Sequence, residues 1–306
     1  MKKFLVFFTI LFAAAAVFAK PVRKNTMAVV KVAATQSCAK LAKKNAAEDS
    51  LGRFVEAIAD GLPADLASSG VVRVVSRSAI DAVLREQNFG ESGDVDKSTA
   101  SQAGKLLGAR YIATVVVRDF QDFKDRAHFA TLAQSDELRK VRVNVASNVI
   151  DTKTGEIVHG GTLAIEGGDK SVKHDISVQS GGEMTDAVVV MLADTVSKTL
   201  SRNIVNHLFP PKITSIKGGV ASINRGEGAG VEVGDEFEVY AKGGKVVDSD
   251  SGNDLGNVEE TTGRVKVISV SAKSAKAKIV ENGGVKKGQF VRPLKKRAVK
   301  QGVVEI

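Results

Sequence analysis

Histidines are the first side chains to consider for chemistry, because they bind metal ions and exchange protons near neutral pH. The sequence has four of them, His128, His159, His174 and His207, and none has a neighbouring ligand residue at metal-binding spacing. A structural metal site usually needs four ligands. The spacing therefore predicts scattered structural histidines and no metal centre.

A glycine-rich stretch, Gly226-Glu227-Gly228-Ala229-Gly230, partly resembles a loop that binds a dinucleotide. The dinucleotide fingerprint needs a further small residue and a strand–helix context, whereas Val231 follows here and no helix pattern comes after it. Gly244-Lys245 lacks the hydroxyl residue of a phosphate loop. We therefore predict a turn that requires positive φ at glycine, and no cofactor.

Four carboxylates, Asp248, Asp250, Asp254 and Glu259, crowd one polar segment and suggest a calcium loop. The calcium loop of an EF-hand places its sharp-turn glycine at the sixth position. A loop that starts at Asp248 has glycine at the fifth position and asparagine at the sixth. The segment is therefore predicted to be a solvated hairpin loop rather than a metal site.

The first 19 residues have the pattern of a secretory signal peptide. A basic start, Met1-Lys2-Lys3, precedes the uncharged apolar stretch from Phe4 to Phe18, and Val17-Phe18-Ala19 offers small residues for cleavage. The apolar stretch is shorter than the roughly 20 residues that a spanning helix needs. Cleavage after Ala19 would remove two lysines and lower the formal net charge from +9 to +7.

Cys38 is the single cysteine of the chain, so no intramolecular disulfide can form. The residues before it, Thr35-Gln36-Ser37, do not form the apolar motif that precedes a lipid-anchored cysteine. We expect Cys38 to be a buried core thiol.

Strand and helix patterns alternate from residue 20 to residue 209, which predicts an α/β domain with a mixed sheet and flanking helices. A strand is expected at Met27–Ala33, then a charged link, a helix from Asp49 that Gly61 and Pro63 should bend or break, and a strand at Val71–Val75. Two short helices follow, then Tyr111–Val117 and Val141–Ile150 as strands. Long connections are expected at Asp119–Lys140 and His159–Glu183, and a final helix contains Val188 to Leu208.

Pro210-Pro211 is expected to separate this α/β domain from a second, small all-β domain at residues 212–293. Glycine-rich turns and short valine-rich strands replace the helix pattern there. Its predicted strands are Gly219–Ile223, Glu236–Tyr240, Gly263–Val270, Ala275–Val280 and Gln289–Val291. A basic tail, residues 294–306, completes the chain.

An ordered set of residues resembles the curli secretion-channel family, which includes CsgG and its holdfast-anchor relatives, over residues 26–209. In this set, Arg77 precedes the first short helix and the pair Glu86-Gln87 ends it. The stretch Ala103 to Tyr111 comes next, and the turn from Asp151 to Glu156 comes last. The signature residues are Arg77, Glu86, Gln87, Gly104, Gly108, Tyr111, Asp151 and Gly155. Residues 212–293 resemble, more faintly, the terminal domain of flagellar assembly protein T, on Gly226 to Asp235 and Asp248 to Gly252.

The resemblance implies an exported, non-catalytic component of envelope assembly or secretion, periplasmic or attached to the outer membrane, and a homo-oligomer with envelope proteins or secreted cargo as partners. An outer-membrane secretion channel subunit is the first alternative, and a periplasmic activator of cell-wall synthases is another. In the channel family both long connections form membrane-spanning hairpins. Here Lys124, Asp125 and Arg126 are consecutive, so alternation cannot turn all three away from lipid.

No residue set forms a catalytic motif, so an enzyme is the least supported class and none is predicted. The basic tail would contact anionic glycolipid or cell-wall polymer, or act only as a solubilising segment, and no nucleic acid partner is expected for an exported chain.

Overall fold

A computed structural model describes residues 25–75, 108–128, 135–168 and 185–294 of the chain. These residues form a mixed sheet with helices packed on it, followed by an antiparallel sheet, as the predicted fold class requires. The short helices expected between Ser78 and Leu107 lie outside the described residues.

The first sheet, sheet A, has the strand order β2-β1-β3-β4-β5. β1 is parallel to β2 and β3, and the remaining pairs are antiparallel. Its strands are β1 (Thr26–Ala34), β2 (Arg73–Val74), β3 (Tyr111–His128), β4 (Ser135–Asp151) and β5 (Ile157–Gly168).

Three helices accompany sheet A in the described residues: α1 (Gln36–Lys44), α2 (Glu48–Ser68) and α3 (Thr185–Leu208). The apolar faces of α2 and α3 and one face of the sheet form a single core. Phe54 of α2 and Phe120 of β3 are fully enclosed there, and their ring centroids are 5.5 Å apart. Cys38 of α1 is buried at the same core, which confirms the expected core thiol, and burial raises the pKa of this thiol.

Two expectations about the helices are wrong. The charged link expected after β1 contains α1, whose start is capped by the Thr35 hydroxyl as it accepts from the Cys38 amide. α2 continues unbroken through Gly61 and Pro63 to Ser68. Gly61 lies where α3 approaches closely, since a Cβ there would be 3.2 Å from the Ser197 hydroxyl. Tight packing between the two helices outweighs the low helix propensity of both residues.

Strand occupies most of the first long connection, Asp119–Lys140, and residues 159–168 of the second, which corrects the prediction of loops there; residues 169–183 lie outside the described part of the chain. β3 extends to His128 and β4 begins at Ser135, and their backbones pair without interruption from Asp119 to the end of the hairpin. β5 likewise extends to Gly168 and pairs with β4. A bulge between Val117 and Asp119 shifts the alternation, so that Phe120 enters the core after Val117. Conversely, the strand expected at Val71–Val75 shrinks to Arg73–Val74.

The second sheet, sheet B, is antiparallel with the order β11-β8-β9-β10-β7-β6. It has its own apolar core, which includes Phe237, Val265 and Ala277. Its strands are β6 (Ile213–Lys217), β7 (Val220–Ile223), β8 (Glu236–Val247), β9 (Asp254–Ser271), β10 (Ser274–Asn282) and β11 (Phe290–Pro293).

The all-β character predicted for residues 212–293 is therefore confirmed, with two differences. The strand β6 was not predicted. The strands β8 and β9 are much longer than the predicted strands Glu236–Tyr240 and Gly263–Val270. Pro210 and Pro211 lie between the end of α3 and the start of β6, and the division into domains at that point stays a proposal. Among the described helices, none is both long and apolar enough to cross a bilayer.

Gly108 precedes β3 with φ +63°, in the left-handed region that the sequence predicts for it. No atom lies within 4 Å of a Cβ built there, so only the backbone conformation restricts the residue. We predict that Gly108→Val lowers the free energy of unfolding by about 1 to 3 kcal/mol. Gly108→Asn should cost less, because asparagine tolerates this conformation. Urea unfolding of both variants is the measurement, and equal stability of the valine variant and the wild type would contradict the assignment.

Candidate functional site

Four of the eight signature residues fall in the described part of the chain: Gly108, Tyr111, Asp151 and Gly155. The structure brings these four together, because β3 begins where β4 ends and Tyr111 pairs with Asp151. Arg77, Glu86, Gln87 and Gly104 lie outside the described residues. We call the group formed by Arg110, Tyr111, Asp151 and Thr152 the Asp151 corner.

The carboxylate of Asp151 is the centre of this corner and is 5% exposed. The Arg110 guanidinium donates to its Oδ2 through Nε at 3.1 Å and through Nη2 at 2.6 Å. The Lys153 amide donates to the other oxygen, Oδ1, at 2.9 Å. Both oxygens of the buried carboxylate are thus occupied by donors, which a buried charge requires.

Thr152 and Gly155 complete the turn between β4 and β5. The Thr152 hydroxyl donates to the carbonyl of Ala109 at 2.8 Å, which connects the turn to the entry of β3. The Gly155 amide donates to the Asp151 carbonyl at 2.8 Å, with φ +74° at Gly155. The Asp-Thr-Lys-Thr-Gly pattern is therefore explained by hydrogen bonds that close this end of the sheet.

The electrostatics of Asp151 do not favour acid–base catalysis. Burial raises the pKa of its carboxyl, but the Lys153 amide and the Arg110 guanidinium lower it by more, so the pKa lies below its ordinary value. A general acid or base needs a pKa near the working pH. The ionised Asp151 is suited to holding the corner together rather than to transferring protons.

We predict that Asp151→Asn destabilises the protein by about 1 to 3 kcal/mol near neutral pH, because charge-assisted hydrogen bonds to the buried carboxylate are weakened. A folded-state pKa below the unfolded value stabilises the fold above about pH 4, and this stabilisation is lost as the pH falls through the folded pKa. The difference in the free energy of unfolding between wild type and variant should therefore become smaller below about pH 4.

Urea unfolding of the wild type and Asp151→Asn across this pH range measures the difference in their free energies of unfolding. Glu156→Gln, at an exposed carboxylate of the same turn, is the matched control and should change stability by less than about 0.5 kcal/mol. If the stability difference between wild type and Asp151→Asn stays constant down to about pH 3, the structural role assigned to the ionised Asp151 is wrong.

A second group of residues lies at the junction between the α2–α3 layer and sheet B. The glycine-rich stretch forms a short 3-10 turn, Glu227–Ala229, against the C-terminus of α2. A Cβ at Gly228 would lie 2.0 Å from the Ser68 carbonyl oxygen, and one at Gly226 would lie 1.9 Å from the Ser271 carbonyl oxygen. Gly230 has φ +72° and fits beside Arg202 of α3. Gly228 and Gly230 therefore permit close packing between the two layers, and the predicted positive φ occurs at Gly230. Gly226 permits a close approach within the sheet B part of the chain.

Arg225 is the buried cation of this junction and is 4% exposed. Its Nη2 donates to the carbonyl of Phe209, just beyond α3, and its Nη1 donates to the Asn224 carbonyl at 2.8 Å. Burial lowers the pKa of Arg225 to about 10, and its Nε has no hydrogen-bond partner among the described residues. The helix end supplies partial negative charge, which favours a cation there. Arg225 thus connects sheet B to α3 by capping the helix.

Phe209 also joins the junction to the Asp151 corner. Its ring meets the ring of Tyr111 edge to face, with centroids 5.8 Å apart. The Arg110 guanidinium lies 5.5 Å from the Tyr111 ring centroid. A continuous series of contacts therefore runs from Asp151 through Arg110, Tyr111 and Phe209 to Arg225.

We predict that Gly228→Ala loosens the junction, because the added methyl group would overlap the Ser68 carbonyl. Overpacking of this kind typically costs about 1 to 3 kcal/mol. Limited proteolysis should cut faster near Pro210-Pro211 in the variant. Gly244→Ala is the matched control, since nothing lies within 4 Å of a Cβ there and its φ is not positive. Identical cutting of both variants would show that the junction tolerates a side chain.

One pair of candidate residues was not foreseen from the sequence. The rings of His159 of β5 and His207 of α3 are tilted by 42° with centroids 4.6 Å apart, although the two residues are 48 positions apart in the chain. Burial, and secondarily the charge of His207, lowers the pKa of His159. The expectation that all four histidines are scattered is wrong for these two, and only tertiary structure could reveal it.

The acidic segment that contains Asp248, Asp250 and Asp254 is stabilised by hydrogen bonds within its own turn and by an ion pair. Asp248 Oδ1 accepts from the amides of Asp250 and Ser251 at 2.9 and 2.8 Å, and Asp254 pairs with Lys245 at 2.9 Å. Within the described residues, no group of three or more His, Cys, Asp or Glu side chains is placed to bind a metal ion.

In the described residues, helices pack on a mixed sheet, and the described polar signature residue Asp151 is engaged in structural contacts. The family described as curli production assembly/transport component CsgG matches residues 14–208. The chain belongs to this family, and the resemblance carried by the signature is confirmed. The match ends at the last residue of α3, so sheet B lies outside it. A search of curated proteins gave no match.

Several solved structures are similar to part of the chain. The LpoB C-terminal domain from Escherichia coli is 13% identical, covering 48% of this chain and 87% of that one, with a TM-score of 0.25. A PelC dodecamer from Paraburkholderia phytofirmans is 18% identical, with coverages of 57% and 86% and a TM-score of 0.26. The hypothetical protein CT253 from Chlamydia trachomatis is 14% identical, with coverages of 59% and 98% and a TM-score of 0.33. At these values the similarities indicate no function.

Proposed function

We propose that the protein is an exported, non-catalytic component of cell-envelope assembly or secretion that acts as a homo-oligomer. The observation that carries the proposal is the family match, which includes every described element from β1 to α3. The location follows from the predicted signal peptide at residues 1–19 and from family membership. We place the protein in the periplasm or at the outer membrane, with envelope proteins or a secreted cargo as partners.

The absence of an enzymatic role is part of this proposal. The signature carboxylate Asp151 is enclosed by donors, and its lowered pKa suits a structural ion pair. We further propose that residues 20–209 form the assembly domain and residues 212–293 a second domain held by Arg225 at the end of α3. The basic tail, residues 294–306, would contact anionic glycolipid or cell-wall polymer.

A secretion channel subunit is the second candidate, and one observation favours it. The hairpin of β3 and β4 stays paired to His128 and Ser135, well beyond the last pairing of β5 at Lys140. Channel relatives cross the membrane with hairpins at this position of the chain. The consecutive charges Lys124, Asp125 and Arg126 disfavour a lipid-facing role, because a lysine or arginine at the bilayer midplane costs about 2 to 4 kcal/mol.

Envelope fractionation and native mass of the mature protein, with and without detergent, test the first proposal. We expect an N-terminus at Lys20, recovery with the envelope, and the same oligomeric mass in both conditions. A chain lacking residues 2–19 is the control and should stay in the cytoplasm. Recovery of the full-length protein from the cytoplasm would overturn the proposal.

Planar bilayers distinguish the assembly component from the channel. We expect no stepwise conductance from the purified mature protein. A control variant replaces residues 124–139 with Asn-Gly, which joins the paired residues Phe123 and Lys140 through a two-residue turn. Conductance steps that disappear in this shortened variant would establish the channel instead.

A further inference from the structure

The distal part of the β8–β9 hairpin projects from sheet B as a two-stranded arm, residues 242–261. Every residue of the arm is exposed except Asp248, which is half-buried. β11 pairs only with β8 residues Phe237 to Tyr240, and β10 pairs with β9 from Gly263 onward. At about 3.4 Å per residue, the paired strands extend roughly 20 Å past their described neighbours.

The arm exposes apolar side chains where a solvated loop would carry polar ones. Val247, Leu255 and Val258 are 57%, 62% and 53% exposed, and Val246 is 38% exposed. A two-stranded ribbon is marginally stable alone, and unpaired strand edges invite pairing with another chain. An apolar ribbon held away from its own domain is typical of a surface that contacts a partner.

The charge of the arm identifies the kind of partner. It carries two lysines against five carboxylates, a net charge of −3, whereas the whole chain carries +9. Asp250 and Glu260 form no ion pair with any described residue and remain open to a positive surface. A basic partner surface with apolar residues would match both properties of the arm.

The outer face of sheet B has these complementary properties. Lys276 and Lys278 of β10 are exposed and flank the buried Ala277, and neither pairs with a carboxylate in the described ranges. Ile268 of β9 and Val280 of β10 are 49% and 51% exposed on the same face. We call this surface, formed by Ile268, Lys276, Lys278 and Val280, the basic face; the neighbouring Lys266 pairs with Glu236 at 3.3 Å.

We propose that the arm of one copy docks on the basic face of sheet B in a second copy of this chain. The inference rests on the proposed oligomeric function and names the surfaces that join the subunits. Valine and leucine of the arm would cover Ile268 and Val280, while Asp250 and Glu260 would meet Lys276 and Lys278. Interfaces of standard size use about 20 to 30 residues on each side, and the arm supplies a segment of that length.

The two surfaces differ, so the contact is head-to-tail. Each copy offers one arm and one basic face, and such contacts produce closed rings or open filaments according to the rotation between neighbours. Sheet B lies outside the family match, so this contact is separate from any that the α/β layer makes.

A charge-exchange experiment on the full mature chain tests the contact. Asp250→Lys with Glu260→Lys, and separately Lys276→Glu with Lys278→Glu, should each weaken self-association by about tenfold or more, since like charges then face each other. The chain with all four substitutions should recover the self-association of the wild type. Sedimentation equilibrium measures the dissociation constants, and added salt should weaken the wild type. Glu56→Lys with Glu232→Lys, at exposed positions outside the arm, matches the charge change of the arm variant and should have little effect.

A second variant removes residues 243–258 and joins Lys242 to Glu259, which are paired, through Asn-Gly. It should fold and show the same loss of association. A monomeric wild type, unchanged association without the arm, or no recovery in the fourfold variant would each overturn the inference. Envelope recovery of a monomeric wild type would overturn this contact and leave the exported location intact. Cytoplasmic recovery of an arm-dependent oligomer would overturn the location and leave the contact intact.

Discussion

A guanidinium buried without a carboxylate partner among the described residues is the constraint on which the two-sheet arrangement depends. Arg225 can stay charged in that position because the carbonyl of Phe209 and the end of α3 supply the partial negative charge. Loss of the Phe209 carbonyl would leave the buried cation with one fewer hydrogen-bond acceptor, which is costly. The relative placement of the helices and sheet B is therefore coupled to the ionisation of one side chain.

Glycine makes that coupling sterically possible. Gly228 lies where any side chain would overlap the backbone carbonyl of Ser68 at the end of α2. Phe209, just beyond α3, contacts Tyr111 and, through it, the Asp151 corner. The glycine-rich stretch Gly226–Gly230, which resembles a nucleotide-binding loop in sequence, is thus a packing surface. The aromatic contact between Phe209 and Tyr111 connects this part of the molecule to the family signature.

The sequence predicted the fold class because apolar periodicity survives wherever one face of an element is buried, as along β1 and α3. It failed along Asp119–Lys140, since a ribbon held by backbone hydrogen bonds needs little apolar alternation. It failed at Pro63, where the packing of α2 on α3 outweighs local propensity. The turn from Asp151 to Gly155 was visible because the hydrogen bonds that close it are local. The contacts of Asp151 with Arg110 and of Thr152 with Ala109 join residues that are distant in sequence, as do those of Arg225 and His207, and no spacing rule could find them.

The topology of sheet A also determines when the chain can fold. β1 pairs with β3, from Met27 opposite Tyr111 to Ala34 opposite Val117, and α2 buries its apolar stripe against α3, which ends at Leu208. No early portion can close the core, because its covering helix is the last element of the layer. Nonlocal pairing of this kind slows folding. For a chain with the predicted export signal, that delay keeps the polypeptide open while it is being threaded across a membrane, and the core closes only after the final helix has passed through.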